Sequence, residues 1–150
     1  MTRTLNADRL SDSSAVQTNT VDEQAGKWQR PTFQAYQLLH LGFTVAPIVA
    51  GLDKFFHLLV NWDQYLAPLA NRLVGGQGHT FMLVVGVIEI IAGLGVAFKP
   101  RLFAYVVAAW LVAIIVNLLL IPGYYDIALR DLGLALAALA LGRLSQEWAR

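Results

Sequence analysis

The sequence predicts an all-α fold, an integral membrane four-helix bundle behind a polar N-terminal tail. Three observations carry that expectation. Hydrophobic side chains make up 57% of the 150 residues and charged ones 14%, against about half and about a quarter in soluble domains. Mean hydropathy is +0.54. Four apolar stretches follow one another, each near the roughly 20 residues that cross about 30 Å of hydrocarbon.

The tail, residues 1–32, comes first. The first thirty residues hold eight of the 21 charged residues, together with a polar run of Ser11, Ser13, Ser14, Gln17, Thr18, Asn19 and Thr20. No apolar core follows a basic start, so the segment does not read as a secretory signal. Its composition is that of a disordered or partner-held segment. The predicted spans then run over about 33–60, 80–98, 102–121 and 127–144. Between them stand turn-forming residues: Pro68 and Gly75-Gly76-Gln77-Gly78, Lys99-Pro100-Arg101, and Pro122-Gly123. Pro47 lies inside the first span, where it predicts a kink that membrane helices tolerate. A very apolar soluble bundle is the alternative, but no stretch shows a sustained polar stripe.

Basic flanks predict the orientation. Lys27, Arg30, Lys99, Arg101, Arg143 and Arg150 gather on the side of both termini, whereas the opposite loops offer Arg72, with Arg130 just inside the last span. Positive residues prefer the cytoplasm, so both termini are expected there, in a bacterial inner membrane. Trp28 and Trp148 mark that interface; Trp62, Tyr65, Tyr124 and Tyr125 mark the outer one. Composition also excludes chemistries. A net charge of +1 gives no basic field for nucleic acid. Without cysteine there is no disulfide, thiolate zinc site, iron–sulfur ligation or Cys nucleophile.

Ionisable groups within spans are expensive and so are the candidate functional residues. They are Asp53, Lys54 and His57 in the first span, Glu89 in the second, and Arg130 and Asp131 in the fourth, joined by Asn117 in the third and His40 in the first. At about 1.5 Å per residue, Lys54 lies roughly 10 Å below the outer surface counted from Asn61, Glu89 roughly 13 Å below it, and Asn117, Arg130 and Asp131 roughly 6–8 Å. The polar groups thus concentrate in the outer half, which predicts a polar pocket reached from that side.

Helical spacing lets His57 reach the row of Asp53 or of Lys54. Lys54 and Glu89 are close enough in depth to pair, and Arg130 is placed to meet Asp53 or Glu89. The formal charges of Asp53, Lys54, Glu89, Arg130 and Asp131 sum to −1. The surplus carboxylate is protonated, matched by a cationic His57, or available to a ligand. The bland alternative is that these pairs hold helices in register and that Asn117 is interhelical glue. Asp63 and Asp126 read as loop or cap residues, and His40 as a packed or interfacial histidine.

Other sites are disfavoured. A haem held between helices needs facing histidines, but His40 and His57 share one span at a separation of roughly 25 Å. No H-E-x-x-H, P-loop or G-x-S-x-G occurs, and no metal ligands are expected. Gly93 and Gly95, and Gly133 with Ala137 and Ala140, read as close-packing faces toward another helix or a partner subunit.

Gly51-x-x-Lys54 with its following aromatic pair, Gly86-x-x-Glu89 with Gly93, and the acidic Asp131 early in the fourth span together resemble the DoxX-like family of small four-helix membrane proteins. The likeness covers about residues 35–145 and leaves out the tail. It implies a four-helix bundle linked to membrane oxidoreductase systems; the namesake members belong to a thiosulfate:quinone oxidoreductase. Carried over, Lys54, Glu89 and Asp131 form the family's polar core.

The leading expectation is therefore a membrane module of an oxidoreductase system, holding a quinone-like or other small ligand in the outer half. Lys54, Arg130 or His57 donates hydrogen bonds to it, Glu89 or Asp131 carries the proton, and Asp53 and Asn117 complete the pocket. Electrons come from a partner, because the chain carries no redox centre of its own. The rival is a non-catalytic accessory subunit packing against a larger respiratory or photosynthetic membrane complex, or against further copies of itself. A small proton-coupled transporter is a third reading, though no inverted repeat supports it.

Overall fold

The computed structural model describes residue 26 and residues 29–149. Most of the expected tail lies outside the described residues, with Lys27, Trp28 and Arg150. By its internal contacts the chain divides between Ala35 and Tyr36, and the packing below is that of the unit from Tyr36 onward. The described elements are all helical: α1 (Pro31–Phe56), a 3-10 turn (Trp62–Tyr65), α2 (Pro68–Leu73), α3 (Gly78–Phe98), α4 (Pro100–Leu119) and α5 (Tyr125–Trp148).

Three of these, α1, α3 and α4, are long and apolar enough to cross a membrane. The fourth expected span, α5, is long enough at 24 residues but is not one of the three. Asp126, Arg130, Asp131, Arg143 and Glu147 all fall within it and dilute a sequence otherwise rich in alanine and leucine.

Local chemistry sets the helix ends. Pro68 and Pro100 open α2 and α4, where the missing N–H costs nothing. Lys99 alone separates α3 from α4. At α1 the structure departs from the expected limit at residue 60: the helix runs through Pro47 as one element but stops at Phe56. His57 takes a left-handed backbone, with φ of 53°. The next amides turn to a side chain instead of helix carbonyls, Leu58 N–H and Leu59 N–H both donating to Asp53 Oδ1 at 2.9 Å. Leu58, Leu59 and Val60 are as apolar as the helix itself, so hydropathy ran on through a boundary that a carboxylate imposes. Lys54 therefore lies about 3 Å along the axis from the end of α1, and the depth counted from Asn61 is too large.

Glycines set the register between α1 and α3. A Cβ on Gly51 falls 2.5 Å from the Gly86 carbonyl oxygen, and one on Gly86 falls 2.8 Å from the Gly51 carbonyl oxygen. A Cβ on Gly93 falls 2.8 Å from the Thr44 carbonyl oxygen, and His40 Nε2 lies 3.0 Å from the Val96 carbonyl. Later residues of α1 thus meet earlier ones of α3, an antiparallel pair whose backbones touch because both surfaces lack side chains. Gly95 faces the Phe103 ring across the α3–α4 turn, and Gly142 of α5 lies on the Tyr105 ring of α4. Arg101 at the start of α4 donates to the carbonyls of Ser145 and Gln146 at the end of α5, each at 3.0 Å. This pair is antiparallel too.

The buried face of α5 is Ala128, Asp131, Ala135, Ala138, Leu141, Gly142 and Ser145, a helical stripe. Of the expected packing face, Gly133 and Ala140 are exposed and Ala137 is half-buried, and among the described residues nothing comes within 4 Å of a Cβ placed on Gly133. At about 100° per residue, Gly133 stands roughly 160° away from the stripe through Asp131. Exposure across the unit is inverted relative to a soluble fold. Leu38, Phe98 and Leu136 are 73%, 81% and 61% exposed, while Asp53, Lys54, Glu89 and Asp131 are 5%, 3%, 9% and 8% exposed.

Candidate functional site

The buried charges meet because of the glycine contact. Lys54 and Glu89 each follow a contact glycine by three residues, and Cα–Cβ bonds tilt toward a helix's own N-terminus. In an antiparallel pair those tilts lean the two side chains toward one another. Gly86 also leaves room for the lysine stem, since a Cβ there falls 3.2 Å from Lys54 Cβ. The expected pair is present: Lys54 Nζ donates to Glu89 Oε2 at 2.5 Å, with side chains 3% and 12% exposed.

The loop after α1 folds back over this pair. Lys54 Nζ sits 3.8 Å from the centroid of the Trp62 ring, a cation–π contact that matters most where water is excluded. The same indole donates from Nε1 to Asp53 Oδ2 at 2.7 Å. Asp53 thus accepts three hydrogen bonds, closing α1 and holding Trp62 in place. Tyr65 packs edge-on against Trp62 at 6.0 Å and against Tyr124 at 5.3 Å, tying the lid to the start of α5.

Asn117 anchors that lid. Its Oδ1 accepts from Ala67 N–H at 3.0 Å and its Nδ2 donates to the Tyr65 carbonyl at 2.6 Å. It binds loop backbone, and no contact joins it to the charge cluster. Trp110 of α4 points its indole Nε1 toward the Glu89 carboxylate without completing a hydrogen bond, leaving a buried donor unpaired. Asp131, buried on α5, lies within electrostatic reach of Glu89. Its nearest cation is Arg130, at a loose 3.9 Å.

Two expected partners stand elsewhere. The Arg130 side chain is 70% exposed and meets neither Asp53 nor Glu89. Consecutive helix positions point about 100° apart, and burying Asp131 turns Arg130 outward. The His57 imidazole joins neither the Asp53 nor the Lys54 side chain, because the chain turns left-handed at His57; it stacks on His79 instead, with ring centroids 5.7 Å apart. The buried set is therefore Asp53, Lys54, Glu89 and Asp131: three carboxyl groups to one ammonium, more acidic than the sequence alone implied.

Sequence reasoning placed Trp62 at an interface and overlooked Trp110. The local signal for Trp62 was weak, since the contact needs the helix to stop at Phe56. Trp110 was open to detection as an indole in mid-span, whose N–H needs a partner when buried. Chemically, the set holds spare acceptor capacity on Asp131, one spare donor on Trp110, and an aromatic wall on Trp62. Comparison with known proteins found no matching family model, no similar curated protein and no similar solved structure.

Proposed function

We propose that the chain is an integral membrane protein of four spanning helices, DoxX-like in plan, that binds a quinone-like or similar small lipophilic ligand at the Lys54–Glu89 cluster. It serves as a membrane module of an oxidoreductase system, with electrons supplied by a partner. The membrane reading is supported by the exposure of large apolar side chains such as Leu38, Phe98 and Leu136 while four charged residues, Asp53, Lys54, Glu89 and Asp131, are buried. On this reading α5 is the fourth span, its polar residues divided between the buried stripe and the helix ends. The basic flanks support termini on the cytoplasmic side.

The observation that carries the ligand reading is the unequal pairing inside the cluster. Lys54 and Glu89 bond each other, but the Trp110 N–H only approaches the Glu89 carboxylate without a completed hydrogen bond and Asp131 has only a loose partner. Buried polar groups are normally satisfied, and exceptions call for an explanation. A quinone carbonyl supplies an acceptor for the Trp110 N–H, and the hydroxyl that reduction generates supplies a donor for Asp131. Lys54 and Glu89 then hold and move the proton that ligand reduction requires.

The test is a titration of the detergent-solubilised full chain with a short-chain ubiquinone, followed by quenching of tryptophan fluorescence. Glu89→Gln and Lys54→Met are expected to abolish binding while circular dichroism shows the helices retained. Unchanged binding in both variants overturns the proposal. The accessory-subunit reading is favoured by one observation, the open positions of Gly42 on α1 and Gly133 on α5, where no described residue approaches within 4 Å of an added Cβ. Recovery of the same partner complex by both charge variants, without quinone binding in any form, is the outcome that selects it.

A further inference from the structure

Away from the buried pair, the loop between α1 and α3 gathers three metal-ligating side chains from separated positions. His57 sits just past the end of α1, Asp63 opens the 3-10 turn, and His79 lies in the first turn of α3. The His57 and His79 rings face each other at 5.7 Å with 20° between their planes. His79 Nδ1 is 3.0 Å from Asp63 Oδ2. One ligating atom from each of the three residues falls within 4.8 Å of the others.

Two further observations bear on what this cluster takes. Asp63 Oδ1 is buried without a hydrogen-bond partner, and so is Asn71 Oδ1. Asp63, Asn71 and His79 line the same cleft, of about 350 Å³. The unmet atoms are therefore acceptors, in a cleft whose other lining groups include an imidazole. Asp63 Oδ2 is already bonded to His79 Nδ1, but the two Oδ1 atoms present lone pairs that no described donor receives, and such lone pairs are the chemistry of a cation site. His57 adds a backbone observation. Its left-handed conformation is one that histidine seldom adopts and glycine usually fills after a helix.

We propose that His57, Asp63 and His79 bind one divalent transition-metal ion of the zinc class, with its fourth position left to water or to Asn71. Two imidazoles and one carboxylate suit such an ion, whereas calcium and magnesium prefer sites made of oxygen alone. Ligand atoms about 2.0–2.1 Å from a tetrahedral zinc lie roughly 3.3 Å from each other. Asp63 and His79 already stand at 3.0 Å. Closing the rest, from at most 4.8 Å, requires the two exposed and stacked imidazoles to turn their ring edges toward a common point. The positive end of α3 opposes a cation beside His79, and the Asp63 carboxylate offsets it. The site does not depend on the quinone reading, since neither Lys54 nor Glu89 belongs to it.

The experiment uses the full chain, freed of any affinity tag and stripped with chelator, titrated with Zn²⁺ by calorimetry in detergent. One ion per chain with a dissociation constant of roughly micromolar or below is expected. His57→Gln, Asp63→Asn and His79→Gln are each expected to weaken binding by roughly tenfold or more. His40→Gln, on α1 but outside the cluster, leaves it unchanged. As a second readout, Zn²⁺ raises the thermal unfolding midpoint of the unaltered chain and not of the triple variant. Binding no tighter than millimolar in the unaltered chain overturns the proposal, as does equal binding by the triple variant.

Discussion

Gly51→Ala tests whether the glycine contact between α1 and α3 is what positions the buried charges. The added Cβ falls 2.5 Å from the Gly86 carbonyl oxygen, 2.8 Å from Ile90 Cγ1 and 3.1 Å from Ile90 N. Ile90 Cγ1 can rotate away, but the carbonyl oxygen and the amide nitrogen are backbone and move only with α3. Ordinary contact begins at 3.4 Å, so the helices must separate by 0.9 Å at this level. Overpacking of this kind costs about 1–3 kcal/mol, and the better helix propensity of alanine returns up to about 1 kcal/mol. The midpoints of these ranges give a net loss of about 1.5 kcal/mol, together with a stretched Lys54–Glu89 bond.

Gly133→Ala is the matched control. It is the same chemical change in a helix, but nothing lies within 4 Å of the new methyl group, so propensity alone gives a gain of up to about 1 kcal/mol. Both variants are unfolded by titrating sodium dodecyl sulfate into mild-detergent micelles, with ellipticity as the signal. Opposite signs support the packing argument. Gly51→Ala as stable as the unaltered chain, or Gly133→Ala as damaging as Gly51→Ala, refutes it.

Two further predictions concern the lid. Asn117→Ala removes both side-chain bonds to the 65–67 backbone and is expected to cost about 1–3 kcal/mol, with hydrogen exchange in residues 62–74 rising more than in α3. Protection unchanged in that segment contradicts the anchoring role. Trp62→Phe keeps an aromatic face for Lys54 but deletes the N–H bonded to Asp53; a loss of about 1–3 kcal/mol is expected in the same unfolding titration. Trp62→Leu is expected to cost more, because the cation–π contact goes as well. Equal stability of the two variants removes the cation–π argument.

The helical architecture was legible because its signals are local. Runs of leucine, valine and alanine near 20 residues, broken by Pro100 and by Pro122-Gly123, place helices whatever they pack against. The Lys54–Glu89 pair was legible too, from the similar depth of the two residues in adjacent spans, although the glycine contact that brings them together was not part of that argument. The end of α1 was not. Its stop depends on a carboxylate capturing amides five and six residues ahead, while the hydropathy of Leu58, Leu59 and Val60 reads as more helix. Arg130 was misplaced because a position list carries no rotation. Only the choice of Asp131 as the buried residue shows that its neighbour must face outward.

What the sequence by itself determined is the all-helical class, a candidate list in which Asp53, Lys54, Glu89 and Asp131 stood beside His57, Asn117 and Arg130, and the absence of cysteine chemistry. These follow from residue type and from periods of a few residues, which are properties of the chain before it folds. The tertiary structure alone decided which candidates share a site. Trp62 covers Lys54, Asn117 secures the lid, Arg130 lies outside, and His57, Asp63 and His79 converge across 23 positions of sequence. Each of these depends on where one helix stops or how far it is rotated, and packing between distant segments sets both.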